Sequence, residues 1–112
     1  MRNGSISGFD DAVFLDGSAI VEGLRVFGPE GMLGISVTLG IVRNNSVIGF
    51  DTAISVGGGS TVIGNNVFGL GNANIGMTVT CPSNVTDNTS TGNHFNLVLN
   101  GTGCNNTNNV AP

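Results

Sequence analysis

Short apolar stretches alternate with glycine- and asparagine-rich stretches along the whole chain, and this alternation repeats every 20 to 23 residues. A glycine that follows a short apolar strand marks each repeat, at Gly8, Gly28, Gly49, Gly69 and Gly92. The segments 42–49 and 62–69 read VRNNSVIG and VIGNNVFG, so the sequence itself repeats. A period of this length is typical of a solenoid, in which each repeat forms one coil and stacks on the next.

Two further apolar strands repeat in step with the first. One of them occupies residues 12–15, 34–37, 53–56, 76–79 and 96–99, and its second and fourth residues are large and apolar in every repeat. Period-two alternation of this kind places one set of side chains inside and the other outside. The other, weaker strand contains Val21, Val42, Val62 and Val85.

Three short strands in each of about five repeats predict an all-β, right-handed parallel β-helix that forms one domain over residues 1–112. An antiparallel sandwich is the alternative, but the two-residue hairpin signals that it requires are scarce. Asn45, Asn65 and Asn88 stand four residues before the marker glycine. We expect these three to share one bend, to hydrogen-bond to each other and to adopt the left-handed conformation there.

The composition excludes several classes of protein. The chain has 19 Gly and 16 Asn but no Lys, Trp or Tyr, and 39% of its residues are hydrophobic, which argues against disorder. Its net charge is −4 and its three arginines are dispersed, so we expect no nucleic-acid partner. No apolar run is long enough for a membrane-spanning helix, and no apolar leader follows Met1. The interpretation is a portion of a longer, secreted or cell-surface protein.

Four strings carry a resemblance to a known family: Arg43-Asn-Asn-Ser-Val-Ile-Gly49, Val62-Ile-Gly-Asn-Asn-Val67, Asn100-Gly-Thr-Gly-Cys104 and the ending Asn108-Asn-Val-Ala-Pro112. They resemble the C-terminal coils of bacterial exported proteins of the pectin-lyase-like superfamily. The resemblance covers nearly the whole chain and implies the β-helix fold. It implies little about activity, because that fold occurs in lyases, hydrolases, adhesins and non-catalytic scaffolds.

Acidic residues are the candidate chemical groups. In polysaccharide-degrading members of that superfamily, clustered Asp residues act in catalysis or hold calcium, so the resemblance makes Asp10, Asp11 and Asp51 weak catalytic candidates. Asp10 and Asp51 follow equivalent phenylalanines, and Glu30 occupies the intervening repeat. We predict an acidic column of Asp10, Glu30 and Asp51 that either binds calcium or projects into water. No other cofactor is expected.

The groups that would complete a catalytic site are missing from this neighbourhood. We expect Arg43 on another side of the coil, and His94 four coils away from the first acids. Ser36, Ser55 and Thr78 are predicted to form an outward row that is suitable for a carbohydrate. Cys81 and Cys104 each follow their marker glycine by twelve residues, which predicts a shared column and a disulfide; two reduced buried thiols are the alternative.

The two ends of the array are expected to differ. The last coil has many asparagines, whereas Ile6, Phe9, Val13 and Leu15 predict an open apolar end at the first coil. Three functional hypotheses follow. The first is a non-catalytic structural module that self-associates through its N-terminal rung, and this one needs no missing residue. The second is a polysaccharide-binding surface, and the third is a truncated polysaccharide lyase or hydrolase.

Overall fold

A computed structural model describes residues 1–28, 31–70 and 75–112 of the chain. The described residues form an all-β structure without a helix. No helix among them is long and apolar enough to span a membrane. The twelve strands are β1 (Arg2–Ser7), β2 (Asp11–Phe27), β3 (Leu33–Arg43), β4 (Ser46–Ile48), β5 (Thr52–Val56), β6 (Thr61–Ile63), β7 (Asn66–Phe68), β8 (Ile75–Thr80), β9 (Asn84–Thr86), β10 (Thr89–Thr91), β11 (Phe95–Asn100) and β12 (Asn105–Thr107).

All named strand pairs are parallel, and the strands stack into a solenoid of about five turns, as the repeat predicted. The coil has three faces. Face A contains residues 4–7 of β1, residues 24–27 of β2, β4, β7 and β10, whereas Arg2 of β1 pairs with Glu22 on face C. Face B contains residues 11–15 of β2, residues 33–37 of β3, β5, β8 and β11. Face C contains residues 18–22 of β2, residues 39–43 of β3, β6, β9 and β12. Because β2 and β3 bend round the corners, all twelve strands belong to one sheet.

The core is a set of side-chain rows that run along the solenoid axis. Two rows on face B contain the predicted large apolar residues, Val13, Ile35, Ile54, Met77 and Leu97 in one and Leu15, Val37, Val56, Val79 and Leu99 in the other. Face C contributes Val21, Val42, Val62 and Val85, all fully buried. Face A contributes Ile6, Val26, Val47 and Val67. Identical placement in each coil gives continuous van der Waals contact from rung to rung.

An asparagine ladder runs along the corner between faces C and A. The carboxamide oxygen of Asn65 accepts hydrogen bonds from the backbone N–H of Asn45 at 3.1 Å and from its side-chain amide at 3.0 Å. Asn88 repeats this arrangement for Asn65, and Asn109 repeats it for Asn88. Each ladder amide also donates to a valine carbonyl on face C. The buried amides are therefore fully used in holding adjacent coils together.

The left-handed residue at this corner is not the one that the sequence predicted. Positive φ angles occur one position earlier, at Asn3, Gly23, Asn44, Gly64, Asp87 and Asn108. The expectation for Asn45, Asn65 and Asn88 was wrong because these residues need an inward side chain, and the residue before them makes the turn. Gly23 and Gly64 adopt this positive φ without strain, and a Cβ at either position would overlap the side-chain oxygen of Asn3 or Asn44 in the preceding coil unless that side chain moved.

A second polar ladder lies at the corner between faces B and C, and the sequence analysis did not find it. The Ser60 hydroxyl accepts a hydrogen bond from the Gly40 N–H, and the Ser83 hydroxyl accepts one from the Ser60 N–H, each at 3.1 Å. Ser83 in turn donates to the Thr80 carbonyl at 2.8 Å. Both serines are buried. Hydroxyls at this corner therefore pair backbone groups that the strands leave unbonded.

Candidate functional site

Asp10 and Asp51, two members of the predicted acidic column, lie on one line along the solenoid axis but not on adjacent rungs. Asp11 pairs with Leu33, and Leu33 pairs with Thr52, so the residue between Asp10 and Asp51 in the register is Met32. Two rungs separate the acids by roughly 10 Å. Glu30, the third predicted calcium ligand, lies outside the described residues. Within residues 1–28, 31–70 and 75–112, no three His, Cys, Asp or Glu side chains form a group that could hold a metal ion.

Neither Arg43 nor His94, the two catalytic partners considered from the sequence, lies near Asp10 or Asp11. Arg43 lies on face C, where its Nε donates to Glu22, whereas Asp11 begins the edge strand of face B. His94 precedes Phe95, which stands four rungs along face B from Asp11, or roughly 19 Å. Its ring packs edge-on against Phe95, with centroids 4.5 Å apart. General acid–base chemistry requires groups within hydrogen-bond reach, and this arrangement does not provide them.

The row that was predicted for carbohydrate lies on the outer side of face B. The register aligns Ser36 with Ser55 and Ser55 with Thr78, between Phe14 at one end and Val98 at the other. All three hydroxyl residues are half-buried. The Thr78 hydroxyl already accepts a hydrogen bond from the Asn100 side-chain amide at 2.9 Å. Their role in binding a ligand stays a prediction.

A shallow groove that the sequence analysis missed lies on face A. It has a volume of about 220 Å³, and it is lined by Ser5, Ile6, Ser7, Arg25, Val26, Phe27, Ser46 and Ile48. Phe27 is half exposed, and Phe68 continues the same outward row two rungs further on. The signal was present in the sequence, since large apolar residues directly precede the marker glycines Gly28, Gly49 and Gly69.

Cys81 and Cys104 form the predicted disulfide, with a Cα–Cα distance of 4.9 Å. Their Cα atoms are separated by about one strand spacing, so the two residues face each other between neighbouring rungs, as predicted. The corner beside them is irregular, because Thr80 pairs with Asn100 and Asn84 with Asn105, which leaves four residue steps between these strands in one coil and five in the next. The bridge links the last two coils at this corner.

The N-terminal rung combines an unpaired strand edge with apolar side chains. We use this name for residues 1–9 and 11–15, which pair with the following coil on one side only. Ile6 and Leu15 are half-buried, Val13 is already buried, and Met1 is exposed. The inward positions of this rung therefore carry apolar side chains, except Gly4, which has none. The other backbone edge of β1 has no strand beside it among the described residues.

Phe9 is exposed in this rung, whereas its equivalent in the third coil is buried. In the third coil, the equivalent Phe50 is 1% exposed because its ring occupies the space beside Gly28 and Gly31 of the preceding coil, where a Cβ would overlap it. Phe9 occupies the same place after its marker glycine, yet it is 60% exposed. The same residue in the same position of the repeat is thus buried only where a coil lies next to it. An exposed aromatic ring beside an unpaired strand edge is a typical binding surface.

The C-terminal rung, formed by residues 95–100 and 105–112, carries different chemistry. The face C core row ends in Asn106, whose carboxamide oxygen accepts a hydrogen bond from Asn109 at 2.6 Å. The side chain of Asn96 donates to the carbonyl of Pro112 at 2.6 Å. Leu97 and Leu99 are half-buried. This rung therefore keeps an apolar strip on face B and an exposed Val110 beside face A, whereas Asn106 and Asn109 make its face C side polar.

Comparison with known proteins gives no relative. No protein-family model, no curated protein and no solved structure matches this chain.

The charges near the N-terminal rung are organised around Glu22. Its carboxylate lies between Arg2, whose Nε is 3.0 Å away, and Arg43, whose Nε is 2.5 Å away, on the outer side of face C. The hydrogen bond from Arg43 is the main reason that the pKa of Glu22 lies below its usual range; partial desolvation opposes this shift, and the charges of Arg43 and Arg2 support it. These ion pairs link the first three coils on the outer side of face C.

Proposed function

We propose that this chain is a non-catalytic structural module of an extracellular β-helix protein, and that it self-associates through its N-terminal rung. The observation that carries the proposal is the pair Phe9 and Phe50, which follow their marker glycines in the same position of the repeat but are 60% and 1% exposed. The resemblance to the pectin-lyase-like superfamily supports the extracellular setting. Separation of the acids from Arg43 and His94 favours a structural role over catalysis.

The size of the rung sets the expected strength of association. A coil of about 20 residues at roughly 3.3 Å per residue encloses an end face on the order of 400 Å², side chains included. A standard protein interface buries roughly 800 Å² on each partner. Because the rung is about half that size, we expect association that is weak and reversible. Backbone hydrogen bonds between two strand edges would add to the apolar contact.

Sedimentation velocity over a range of protein concentrations tests the proposal. We expect the wild-type mass to increase with concentration, and Phe9→Ser to weaken this association by about tenfold or more, because it removes an exposed ring from the contact. The matched control is Phe95→Ser, which removes an equally exposed ring from the other end. A wild-type protein that stays monomeric, or equal effects of the two substitutions, would contradict the proposal.

Carbohydrate binding is a second candidate, and the groove on face A is the observation that favours it. The ring of Phe27 and the side chain of Ile48 offer an apolar floor, and Arg25 and Ser46 supply hydrogen-bond donors beside it. Ligand sites typically combine an apolar lining with a few polar groups. NMR titration with a panel of soluble oligosaccharides would test this. We expect Phe27→Ala to abolish binding and Phe14→Ala, on face B, to leave it unchanged; no binding by the wild type would exclude this candidate.

A further inference from the structure

We infer that the groove on face A binds a small aromatic carboxylate, whose acid group lies at Arg25 and whose flat apolar body lies on Phe27 and Ile48. This is the groove that favours the carbohydrate candidate, but the inference names a different ligand and does not require a sugar. It goes beyond the proposed structural role and does not depend on self-association. The features that carry it are two rows of outward side chains, the charge of Arg25 and the size of the groove.

A donor row and an apolar row form the two sides of the groove. The parallel register aligns Ser5, Arg25 and Ser46, which we call the donor row, and it aligns Ser7, Phe27 and Ile48 beside them. Phe27 and Ile48 are the apolar row. Because alternate residues of a strand point to the same side, both rows point outward, and they are roughly 7 Å apart. Since the groove lies on the outer side of face A, a coil stacked on the N-terminal rung would lengthen it and not cover it.

The backbone beneath the groove is already hydrogen-bonded. Residues 25–27 of β2 pair with β1 on one side and with β4 on the other. The groups of this strand that remain available to a ligand are therefore its side chains. Serine hydroxyls donate as well as accept, and an arginine side chain only donates. An ionised carboxylate only accepts, so it is the group that the donor row complements best.

Arg25 makes the groove locally positive in a chain whose net charge is −4. It is the only charged residue among the outward residues of the face A strands that the structure describes, which are otherwise Ser5, Ser7, Phe27, Ser46, Ile48, Asn66, Phe68, Thr89 and Thr91. The two salt bridges within the described residues hold Arg2 and Arg43 against Glu22 on face C. Arg25 is exposed, and its neighbours in the register are serines. An anion in the groove therefore meets a guanidinium that the adjacent strands leave without a carboxylate.

The apolar row and the size of the groove define the body of the ligand. Phe27 is 46% exposed, so part of its ring surface is open to a ligand. Aromatic rings pack against one another in offset or edge-on geometry, and guanidinium groups stack on aromatic faces, so a flat ring between Arg25 and Phe27 contacts both. The groove has a volume of about 220 Å³. Sites for drug-sized ligands have roughly 300–1,000 Å³, so the ligand is a small ring acid and not a large molecule.

NMR titration of the intact chain tests this inference with three probes. Naphthoate carries a flat apolar body and a carboxylate, naphthalenemethanol carries the same body without a charge, and acetate carries the charge without the body. We expect naphthoate to shift the backbone amides of residues 5–7, 25–27 and 46–48. It should bind about tenfold more tightly than naphthalenemethanol and lose that advantage in high salt. Acetate should give no saturable shift.

Arg25→Gln separates the charge from the apolar contact. It should weaken naphthoate binding by about tenfold and leave naphthalenemethanol binding unchanged, because it removes only the charged donor. Arg2→Gln is the matched control, since it removes the same charge from face C and should change neither affinity. Phe27→Ala should weaken the binding of both probes. Phe9→Ser should weaken neither, because Phe9 does not line the groove.

The possible results separate this inference from the proposed functions. No binding of naphthoate, equal binding of naphthoate and naphthalenemethanol, or equal effects of Arg25→Gln and Arg2→Gln would overturn the carboxylate site. Oligosaccharides that bind the groove while naphthoate does not would overturn this inference and support the carbohydrate candidate. Sedimentation velocity tests self-association separately, because Arg25 and Phe27 lie outside the N-terminal rung.

Discussion

The first and last coils of this solenoid belong to the same repeat, but different interactions hold them. The N-terminal coils depend on apolar packing, with Phe50 inserted beside glycines of the second coil, and on the ion pairs of Glu22. The C-terminal coils depend on the amides of Asn88 and Asn109 and on a disulfide. In a stacked fold, therefore, different side-chain interactions can stabilise different coils, provided that backbone pairing continues from one coil to the next. It also means that an apolar end rung needs a cover, whereas a polar one does not.

Phe50→Ala should give the largest loss of stability. It empties the space beside Gly28 and Gly31 in the core of the N-terminal half, which costs about 3–5 kcal/mol for a buried aromatic ring. Phe9→Ala is the matched control, and at concentrations where the chain is monomeric it should cost no more than about 0.5 kcal/mol. Urea unfolding followed by circular dichroism measures both. Similar losses for the two substitutions would show that the first coil is packed as tightly as the third.

Loss of the disulfide should cause the next largest loss of stability. Replacing both Cys81 and Cys104 by Ser removes a link between residues 23 apart in sequence, which we expect to lower the free energy of unfolding by about 2–4 kcal/mol. The effect should be local, with faster hydrogen exchange in β11 and β12 and little change in β4. Reduction of the wild-type protein should reproduce it. A uniform increase in exchange along the chain would mean that the two halves unfold as one unit.

Any one position of the asparagine ladder should contribute somewhat less to the free energy of unfolding than the disulfide does. Asn88→Ala removes the side-chain partner of the Asn65 N–H and of the Val62 carbonyl, and one of the two hydrogen bonds that the Asn109 carboxamide oxygen accepts from residue 88. Because each buried group that loses its partner costs roughly 1–3 kcal/mol before relaxation, we expect a net loss of about 2–3 kcal/mol. Asn84→Ala, at an exposed position of the same coil, is the control and should be near neutral. An equal loss of stability in both variants would show that the asparagine ladder does not stabilise the fold at this position.

The ion pairs of Glu22 should have the smallest effect. The pKa of Glu22 is lowered in the folded chain, so its contribution is present above the pKa of the unfolded state and is lost as pH falls through the lower, folded value. A carboxyl titration by NMR should place Glu22 below an ordinary glutamate, and Arg43→Gln should raise it towards that value. No change in Arg43→Gln would mean that Arg2 alone holds the carboxylate. Salt should weaken the effect.

Inward rows were predictable from the sequence, whereas connections between them were not. Val13, Ile35, Ile54 and Met77 align because each strand alternates with period two and only one set of its residues can face the core. The disulfide pairing was also predictable, because Cys81 and Cys104 follow their marker glycines by the same number of residues. The lengths of the individual connections were not, since the number of residues between the marker glycine and the next strand varies. Loop length is weakly constrained in a solenoid, because each connection only needs to reach the next face.

Burial was the second quantity that the sequence could not supply. Phe9 and Phe50 are indistinguishable in the repeat, yet their exposed fractions are 60% and 1%, because burial depends on the coil next to them. The groove on face A was missed for a related reason. Outward residues such as Arg25 and Phe27 need not follow the core pattern, so their grouping becomes visible only when the register is known.

Hydrogen exchange as a function of protein concentration tests the role of the N-terminal rung most directly. If this rung is the surface of association, the amides of β1 and of residues 11–15 should exchange more slowly as concentration rises, while those of β11 and β12 should not change. Exchange that is independent of concentration at both ends, or protection that grows at β11 and β12 instead, would contradict the account.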